Sequence, residues 1–218
     1  MRIEDVMAAS PVIAVLTIAD PRHAAPLARA LLFGGVPAME VTMRTPAALE
    51  CIRIIADEVP EALVGASTIM SPRDLYAAHK AGAAFVASPG APLELLDVGI
   101  SAPIPYLPGI STATELMAAH ERGYDHVKFF PAAAAGGVAM LKALAGPFPK
   151  VHFCATGGVT RQSAPHYLAQ PNVTCVGGSW LAPVSLVEAG DWEAIEQVAR
   201  ATVDDLSISP HQGRKLRG

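Results

Sequence analysis

Short apolar runs rich in β-branched residues alternate along the chain with longer stretches in which apolar residues recur at helical spacing. The alternation predicts eight strands, each followed by its own helix, and several helices open on Ser, Thr or Asp with proline in the first turn. The predicted strands are Val12–Ile18, Ala38–Met43, Leu63–Thr68, Phe85–Pro89, Ile104–Pro108, Val127–Phe130, Val151–Ala155 and Val173–Val176. The predicted helices lie near residues 24–34, 46–56, 72–81, 92–98, 112–122, 137–145, 161–169 and 191–206.

Eight strand and helix units joined by short loops predict an α/β protein that forms a single (β/α)8 TIM barrel. An open dinucleotide-binding sheet is disfavoured, because no G-x-G-x-x-G fingerprint follows the first strand. The 218 residues suit one such domain, which we place at residues 1–207. Residues 208–218 are basic and lack an apolar pattern, so they predict a flexible C-terminal tail, for which a frayed end without function is favoured.

Composition narrows the class of protein and its compartment. Hydrophobic residues make up 51% and charged residues 17%, which excludes disorder, and no run reaches the roughly 18 apolar residues of a membrane span. Glu4 and Asp5 stand where a signal peptide would need an apolar stretch, so we expect a cytoplasmic protein. The net charge of −4 disfavours a nucleic-acid partner, so an anionic partner is expected to be a small ligand held by local groups.

Cysteine and histidine usage argues against a disulfide framework and against a metal centre. Cys51, Cys154 and Cys175 are odd in number, far apart and without a C-x-x-C pair, so we expect reduced residues in the core or barrel wall. The seven histidines show no H-x-x-x-H spacing, which disfavours a metal-dependent enzyme. His126 lies near the start of a predicted strand and is expected to be structural.

One lysine lies inside a predicted strand. Lys128 stands among valine and phenylalanine side chains, whereas the other four lysines fall on predicted helices, loops or the tail. Burial favours the neutral form of an amine, and a neutral amine is the nucleophile that imine formation requires. The alternative is a structural lysine paired with a carboxylate, which we favour less because hydrocarbon can replace such a pair.

The second predicted strand carries both a carboxylate and a guanidinium. Its period of two places Glu40, Thr42 and Arg44 on one face, toward the barrel mouth. Glu40 can transfer protons, and Arg44 can hold a substrate carboxylate in its fork of donors. The alternative is that Glu40 and Arg44 only pair with each other. The strand alone leaves both interpretations open, and Lys128 across the barrel favours the catalytic one.

Paired glycines follow the last two predicted strands, in Thr156-Gly157-Gly158 and Gly177-Gly178-Ser179. Glycine lets backbone N–H groups approach an anion, and the last two loops of such barrels frequently bind phosphate. Two pairs on adjacent loops therefore predict a phosphate site. Thr68 closes the third strand and can donate to a ligand carboxylate, although threonine there is commonly a turn former.

These residues belong to a wider set of motifs by which the chain resembles a known enzyme family over nearly its whole length. The motifs are residues 40–45, 64–68, 88–90, 107–112, 128–132, 145–148, 156–158 and 177–180. The chain resembles the class I aldolases of 2-keto-3-deoxy-6-phosphogluconate (KDPG) and 4-hydroxy-2-oxoglutarate (KHG). Departures are Ser67 for a common glycine, Ala155 for a proline and Ala133 for an acidic residue, and the last puts specificity for the sugar end in question.

The resemblance implies a role for each candidate residue. Lys128 would form the imine, and Glu40 would be the general acid and base. The substrate carboxylate would be bound by Arg44, Thr68, Pro89 and Phe130. The phosphate would be bound by Thr156, Gly157, Gly158, Gly178 and Ser179. The resemblance also implies a homotrimer and a reaction without cofactor or metal.

Other functions remain open at this point. The substrate can be the galactonate isomer of KDPG. A phosphate-binding isomerase or synthase would use Lys128 only to neutralise phosphate and would form no covalent adduct. A binding or assembly protein on an aldolase scaffold would bind ligand without turnover, although the presence of both Lys128 and Glu40 argues against it.

Overall fold

The computed structural model of the protein describes residues 1–207, so the predicted tail at residues 208–218 lies outside the described part. Its strands are β1 Val12–Leu16, β2 Ala38–Thr42, β3 Leu63–Ser67, β4 Phe85–Ala87, β5 Tyr106–Leu107, β6 Gly109–Ile110, β7 His126–Phe129, β8 His152–Thr156 and β9 Val173–Gly178. Its helices are α1 Ile3–Ala8, α2 Ala24–Phe33, α3 Ala48–Glu58, α4 Pro72–Lys80, α5 Leu93–Ser101, α6 Ala113–Glu121, α7 Gly137–Ala145, α8 Ala164–Leu168, α9 Val184–Ala189 and α10 Trp192–Ser207.

All neighbouring strands run parallel, in the order β5-β4-β3-β2-β1-β9-β8-β7-β6. The two outer strands are halves of one segment, because Pro108 lies between β5 and β6 and has no N–H for a ladder bond. β5 pairs with β4 and β6 pairs with β7, so this segment closes the sheet into a ring. The predicted barrel is therefore confirmed, and the fifth predicted strand is divided at Pro108.

The core lies on both sides of the barrel wall. Outward-facing strand residues such as Val64 and Ala66 pack against the helices in one large cluster. A smaller cluster fills the barrel near its amino end. There Val6 and Met7 of α1 are fully buried against inward-facing strand residues, so α1 plugs the barrel from below.

Two helices of the structure were not predicted from the sequence. α1 precedes the first strand and α9 is a second helix after the last strand, so both fall outside the predicted alternation of one helix per strand. Longer helices begin where capping residues predict them. The Ser71 hydroxyl accepts from the Asp74 N–H before α4, and Thr112 and Glu115 form a capping box before α6.

Several predicted strands extend too far at their carboxyl ends. β2 ends at Thr42, and the next residues form a turn in which the Arg44 N–H donates to the Thr42 carbonyl at 2.8 Å. The period of two therefore does not reach Arg44, which leaves the sheet with the loop.

Within residues 1–207, no helix is long and apolar enough to cross a bilayer.

Candidate active site

A buried ion pair spans the interior of the barrel. Lys128 on β7 and Glu40 on β2 come from opposite strands of the ring, and Lys128 Nζ lies 2.5 Å from Glu40 Oε1. Lys128 is 4% exposed and Glu40 is 2% exposed. Such a pair loses much hydration on burial, so it is weak evidence for a purely stabilising role. Chemically, it places an amine and its proton acceptor in hydrogen-bond contact.

The geometry bears directly on the two alternatives for these charged residues. Glu40 bonds to Lys128, and Arg44 is exposed and forms no ion pair within residues 1–207. The proposed pairing of Glu40 with Arg44 is therefore not found. The lysine is paired to a carboxylate, as its structural alternative requires. That same contact would let Glu40 take the ammonium proton and leave a neutral amine.

An apolar wall stands beside the lysine. Lys128 Nζ lies 5.8 Å from the centre of the Phe130 ring, close enough for an attraction between cation and ring. Phe130 precedes Pro131 through a cis peptide bond. Pro89 follows β4. Its backbone lies so near Gly109 that a Cβ atom on residue 109 would be 2.5 Å from the Pro89 carbonyl carbon. Pro89 therefore packs against β6 just beyond the carboxyl end of β4.

Thr68 has an unusual backbone. It directly follows β3 with a φ of +64°, and it is the one residue other than glycine with a positive φ among those the structure describes. A β-branched residue is strained in this left-handed region, and such strain is commonly found at binding sites. The turn leaves Thr68 half-buried at the mouth of the barrel, on the strand beside that of Glu40.

The two glycine pairs differ in conformation. Gly157 and Gly158 turn after β8 with φ values of +96° and +73°. Gly177 and Gly178 instead form the last residues of β9, so they extend the predicted strand rather than follow it. Both are required by close packing. A side chain at Gly177 would lie 2.3 Å from Thr156 Oγ1, and one at Gly178 would lie 2.6 Å from the Trp180 ring.

The loop after β8 contacts the loop that follows the lysine strand. The Ala132 N–H donates to the Thr156 carbonyl at 2.8 Å, and the Ala133 N–H donates to the Gly157 carbonyl at 3.0 Å. A side chain at Gly158 would meet the Ala133 side chain at 2.7 Å. Ser179 is exposed directly after β9. Sequence reasoning missed the contact of Ala133 with this loop, because it depends on how neighbouring loops pack.

The three cysteines are buried and free, as predicted. Cys154 and Cys175 are paired in register on β8 and β9 and face the barrel interior. Cys154, as hydrogen-bond acceptor for the Cys175 thiol, and burial hold the pKa of Cys175 above its usual range. Burial raises the pKa of Cys51 to about 11.

Within residues 1–207, no three His, Cys, Asp or Glu side chains converge as a metal site would require.

His126 lies at the amino end of the barrel, away from the mouth. Its ring stacks on that of His152 with centroids 5.1 Å apart, and its Nδ1 lies 3.9 Å from a carboxylate oxygen of Glu4 on α1. Burial, followed by the neighbouring His152, lowers the pKa of His126. This placement agrees with the predicted structural role.

Comparison with known proteins agrees with this geometry. The sequence model of the family described as "Aldolase: KDPG and KHG aldolase" matches residues 3–198. The chain belongs to this family. A 2-dehydro-3-deoxy-phosphogluconate aldolase of Pseudoalteromonas atlantica is 50% identical over 200 residues, covering 92% of this chain and 93% of the relative. The KHG/KDPG aldolase of Escherichia coli K12 is 47% identical, covering 94% and 96%.

A solved relative adds information on the chemistry of this aldolase family. The crystal structure of the KDPG aldolase of Legionella pneumophila holds pyruvate captured at low pH as a covalent carbinolamine intermediate. It superposes with a TM-score of 0.91 at 44% sequence identity, covering 93% of this chain and 98% of that protein. The fold and the family predicted from the sequence are thus both confirmed.

Proposed function

We propose that the protein is a class I aldolase that cleaves KDPG into pyruvate and glyceraldehyde 3-phosphate through a Schiff base on Lys128. The buried contact between Lys128 and Glu40 carries the proposal, because it supplies a nucleophile and a proton acceptor at one point. Membership of the KDPG and KHG aldolase family supports it. The names of the bacterial relatives support KDPG as substrate, and that of the Escherichia coli relative supports KHG as a second one.

The first half of the reaction forms the covalent intermediate. Transfer of a proton from Lys128 Nζ to Glu40 leaves a neutral amine, which adds to the C2 ketone of the substrate. Glu40 returns this proton to the hydroxyl of the resulting carbinolamine, which leaves as water, so an iminium forms and Glu40 is ionised again. Its positive nitrogen then accepts the electrons released when the bond between C3 and C4 breaks.

Glu40 carries the protons of the second half. It takes the proton of the C4 hydroxyl, directly or through a water, as the C3–C4 bond breaks and the aldehyde leaves. It then returns a proton to C3 of the enamine. Water adds to the iminium and releases pyruvate and the free lysine. The sequence uses only Lys128, Glu40 and water, so it requires no cofactor and no metal ion.

The rest of the site holds the two ends of the substrate. Arg44 and Thr68 bind the carboxylate, with Pro89 and Phe130 as the apolar wall of the pyruvyl pocket. The phosphate is bound by backbone N–H groups and side chains at the other side of the mouth, from Thr156, Gly157, Gly158, Gly178 and Ser179. The left-handed turn of Gly157 and Gly158 supports this assignment, because it can direct successive N–H groups at one anion.

The family resemblance also supports assembly as a homotrimer and a cytoplasmic location. Sedimentation equilibrium of the full chain tests the first, with a mass of three chains as the expected result. Cell fractionation tests the second.

A coupled assay tests the reaction and its substrate. Pyruvate release is followed with lactate dehydrogenase on KDPG, on its galactonate isomer and on KHG. We expect turnover of KDPG, and activity should survive overnight incubation with EDTA. Preference for the galactonate isomer would change the substrate assignment, and a loss restored by a metal ion would contradict the class I mechanism.

A further inference from the structure

The end of β3 carries a buried hydroxyl that the proposed mechanism does not use. Ser67 is 1% exposed and is the last residue of this strand. Along β3, Val64 and Ala66 pack against the helices, and Gly65 lies against the ring of Phe85 inside the barrel. Because side chains of a strand alternate between its two faces, Ser67 points into the barrel.

Strand register gives the height of Ser67 within the barrel. Glu40 is paired with Gly65, and Thr42 is paired with Ser67. Ser67 therefore lies two residues closer to the carboxyl end of the barrel than the level of Glu40. Substrates of such barrels enter from this end, so Ser67 stands beside the route to the buried ion pair.

The Ser67 hydroxyl has no hydrogen-bond partner within residues 1–207, whereas the neighbouring Thr42 hydroxyl is bonded to that of Thr17 at 2.9 Å. Its oxygen is not completely enclosed, since among the described residues the one fully enclosed side-chain atom without a partner is Asn172 Oδ1. Most buried hydroxyls in proteins are hydrogen-bonded. A buried hydroxyl that is not completely enclosed and has no protein partner is therefore available to a ligand.

The groups around Ser67 indicate which part of a ligand it meets. Thr68 follows it in the strained left-handed turn, and the Ser67 carbonyl accepts from the Met43 N–H at 2.8 Å, one residue before Arg44. Arg44 has no ion-pair partner among the described residues. Two hydroxyls and a guanidinium at the ends of adjacent strands are donors suited to a carboxylate.

We propose that Ser67 binds the C1 carboxylate of the 2-keto acid together with Thr68 and Arg44. The proposal rests on the proposed function and adds a substrate-binding residue to it. Ser67 fixes the acid end of the substrate, and so it orients the adjacent C2 carbonyl toward Lys128.

Ser67→Ala tests this role, with Ser88→Ala as the matched control. Ser88 is also fully buried, but its oxygen lies 2.6 Å from the Tyr106 hydroxyl and accepts from the Gly109 N–H at 3.1 Å. Without ligand, Ser88→Ala should lower Tm, because it leaves two buried groups unpaired. Ser67→Ala should leave Tm unchanged or raise it, because the lost hydroxyl had no protein partner.

Ligand binding and activity should show the reverse order, with Ser67→Ala more impaired than Ser88→Ala. For Ser67→Ala, the Kd of pyruvate from its thermal shift should rise roughly tenfold, the effect of one hydrogen bond to a carboxylate. The kcat/KM should fall by a similar factor for both KDPG and KHG, because the two substrates share the acid end.

Other outcomes would overturn the proposal. A ligand-free Tm that falls as far as that of Ser88→Ala, with the Kd of pyruvate unchanged, would make Ser67 structural. A loss confined to the phosphorylated substrate would place Ser67 at the wrong end. If the wild type turns over neither substrate, the proposed function itself falls, whereas an active wild type with an unaffected Ser67→Ala variant removes only this role.

Discussion

The two ends of the barrel differ in how completely their side chains are packed or hydrogen-bonded within the protein itself. At the amino end, Val6 and Met7 of α1 fill the interior and are fully buried. At the carboxyl end, Arg44 has no ion-pair partner among the described residues, and Ser67 and Thr68 keep unbonded hydroxyls. The closed end contributes stability, and the open end retains hydrogen-bonding capacity for a ligand.

This contrast separates the expected effects of substitutions. Changes at the open end should alter activity with little effect on folding, and changes at the closed end should do the reverse. The pair of Lys128 and Glu40 lies between the two ends and is deeply buried, so its substitution should affect both properties.

The largest effect is expected for Lys128→Ala, which removes the nucleophile and should reduce kcat by several orders of magnitude. It also leaves Glu40 buried without its partner, which should lower the free energy of unfolding by about 3 kcal/mol at neutral pH. The coupled assay and urea unfolding measure the two effects. Adding Glu40→Gln should recover much of the stability and none of the activity. Activity that survives Lys128→Ala would exclude the lysine as nucleophile.

Glu40→Gln should come next, with a loss of about 10²–10⁴-fold in rate, the usual contribution of general acid and base catalysis. Exchange of the pyruvate methyl protons in D2O isolates the proton transfer from carbon bond cleavage. Exchange near the wild-type rate would reduce Glu40 to a structural partner of Lys128.

A smaller and more selective effect is expected for Ser179→Ala, which removes one hydroxyl from the phosphate side of the open end. The KM of KDPG should rise roughly tenfold, the effect of a hydrogen bond to a charged group, and KHG, without a phosphate, should be affected much less. Gly178 is a poorer probe, because a side chain there would meet the Trp180 ring at 2.6 Å. Equal losses on both substrates would argue against a phosphate site at Ser179.

The smallest effect concerns the closed end and its pH dependence. Because the pKa of His126 is lowered in the folded protein, the unfolded chain binds the proton more tightly. The stability that depends on neutral His126 is complete above the ordinary histidine pKa of about 6.5 and is lost as the pH falls below it. The charged groups facing this ring are His152, Glu4, Asp125 and Arg2.

Urea unfolding at two pH values, above and below the ordinary histidine pKa, tests this expectation. His126→Gln should reduce the loss of stability on acidification, and His79→Gln on the exposed face of α4 should not. Identical pH dependence in wild type and His126→Gln would contradict the argument.

Much of the fold could be predicted because periodicity is a local property of the chain. The eight strands and their helices follow from it, whereas α1 and α9 fall outside the alternation of one helix per strand. Strand ends were less predictable. Apolar character continues past β2, but the chain turns at Met43 and takes Arg44 out of the sheet.

The active site, like the fold, could be predicted only in part. Lys128 and Glu40 could be found from the sequence, because ionisable residues are unusual in apolar strands. Their direct contact could not, since it requires the ring to close and bring β2 opposite β7. The free hydroxyl of Ser67 could not be predicted either, because the absence of a hydrogen bond is known only once all neighbouring groups are placed.

The most direct test of the central claim is to trap the intermediate. The protein is incubated with pyruvate and borohydride, digested, and mapped by mass spectrometry, with Lys142→Ala on the exposed side of α7 as control. We predict a reduced pyruvyl group on Lys128 in the wild type and in Lys142→Ala, and none in Lys128→Ala. Label on another lysine, or active wild-type protein without label, would contradict the Schiff-base mechanism.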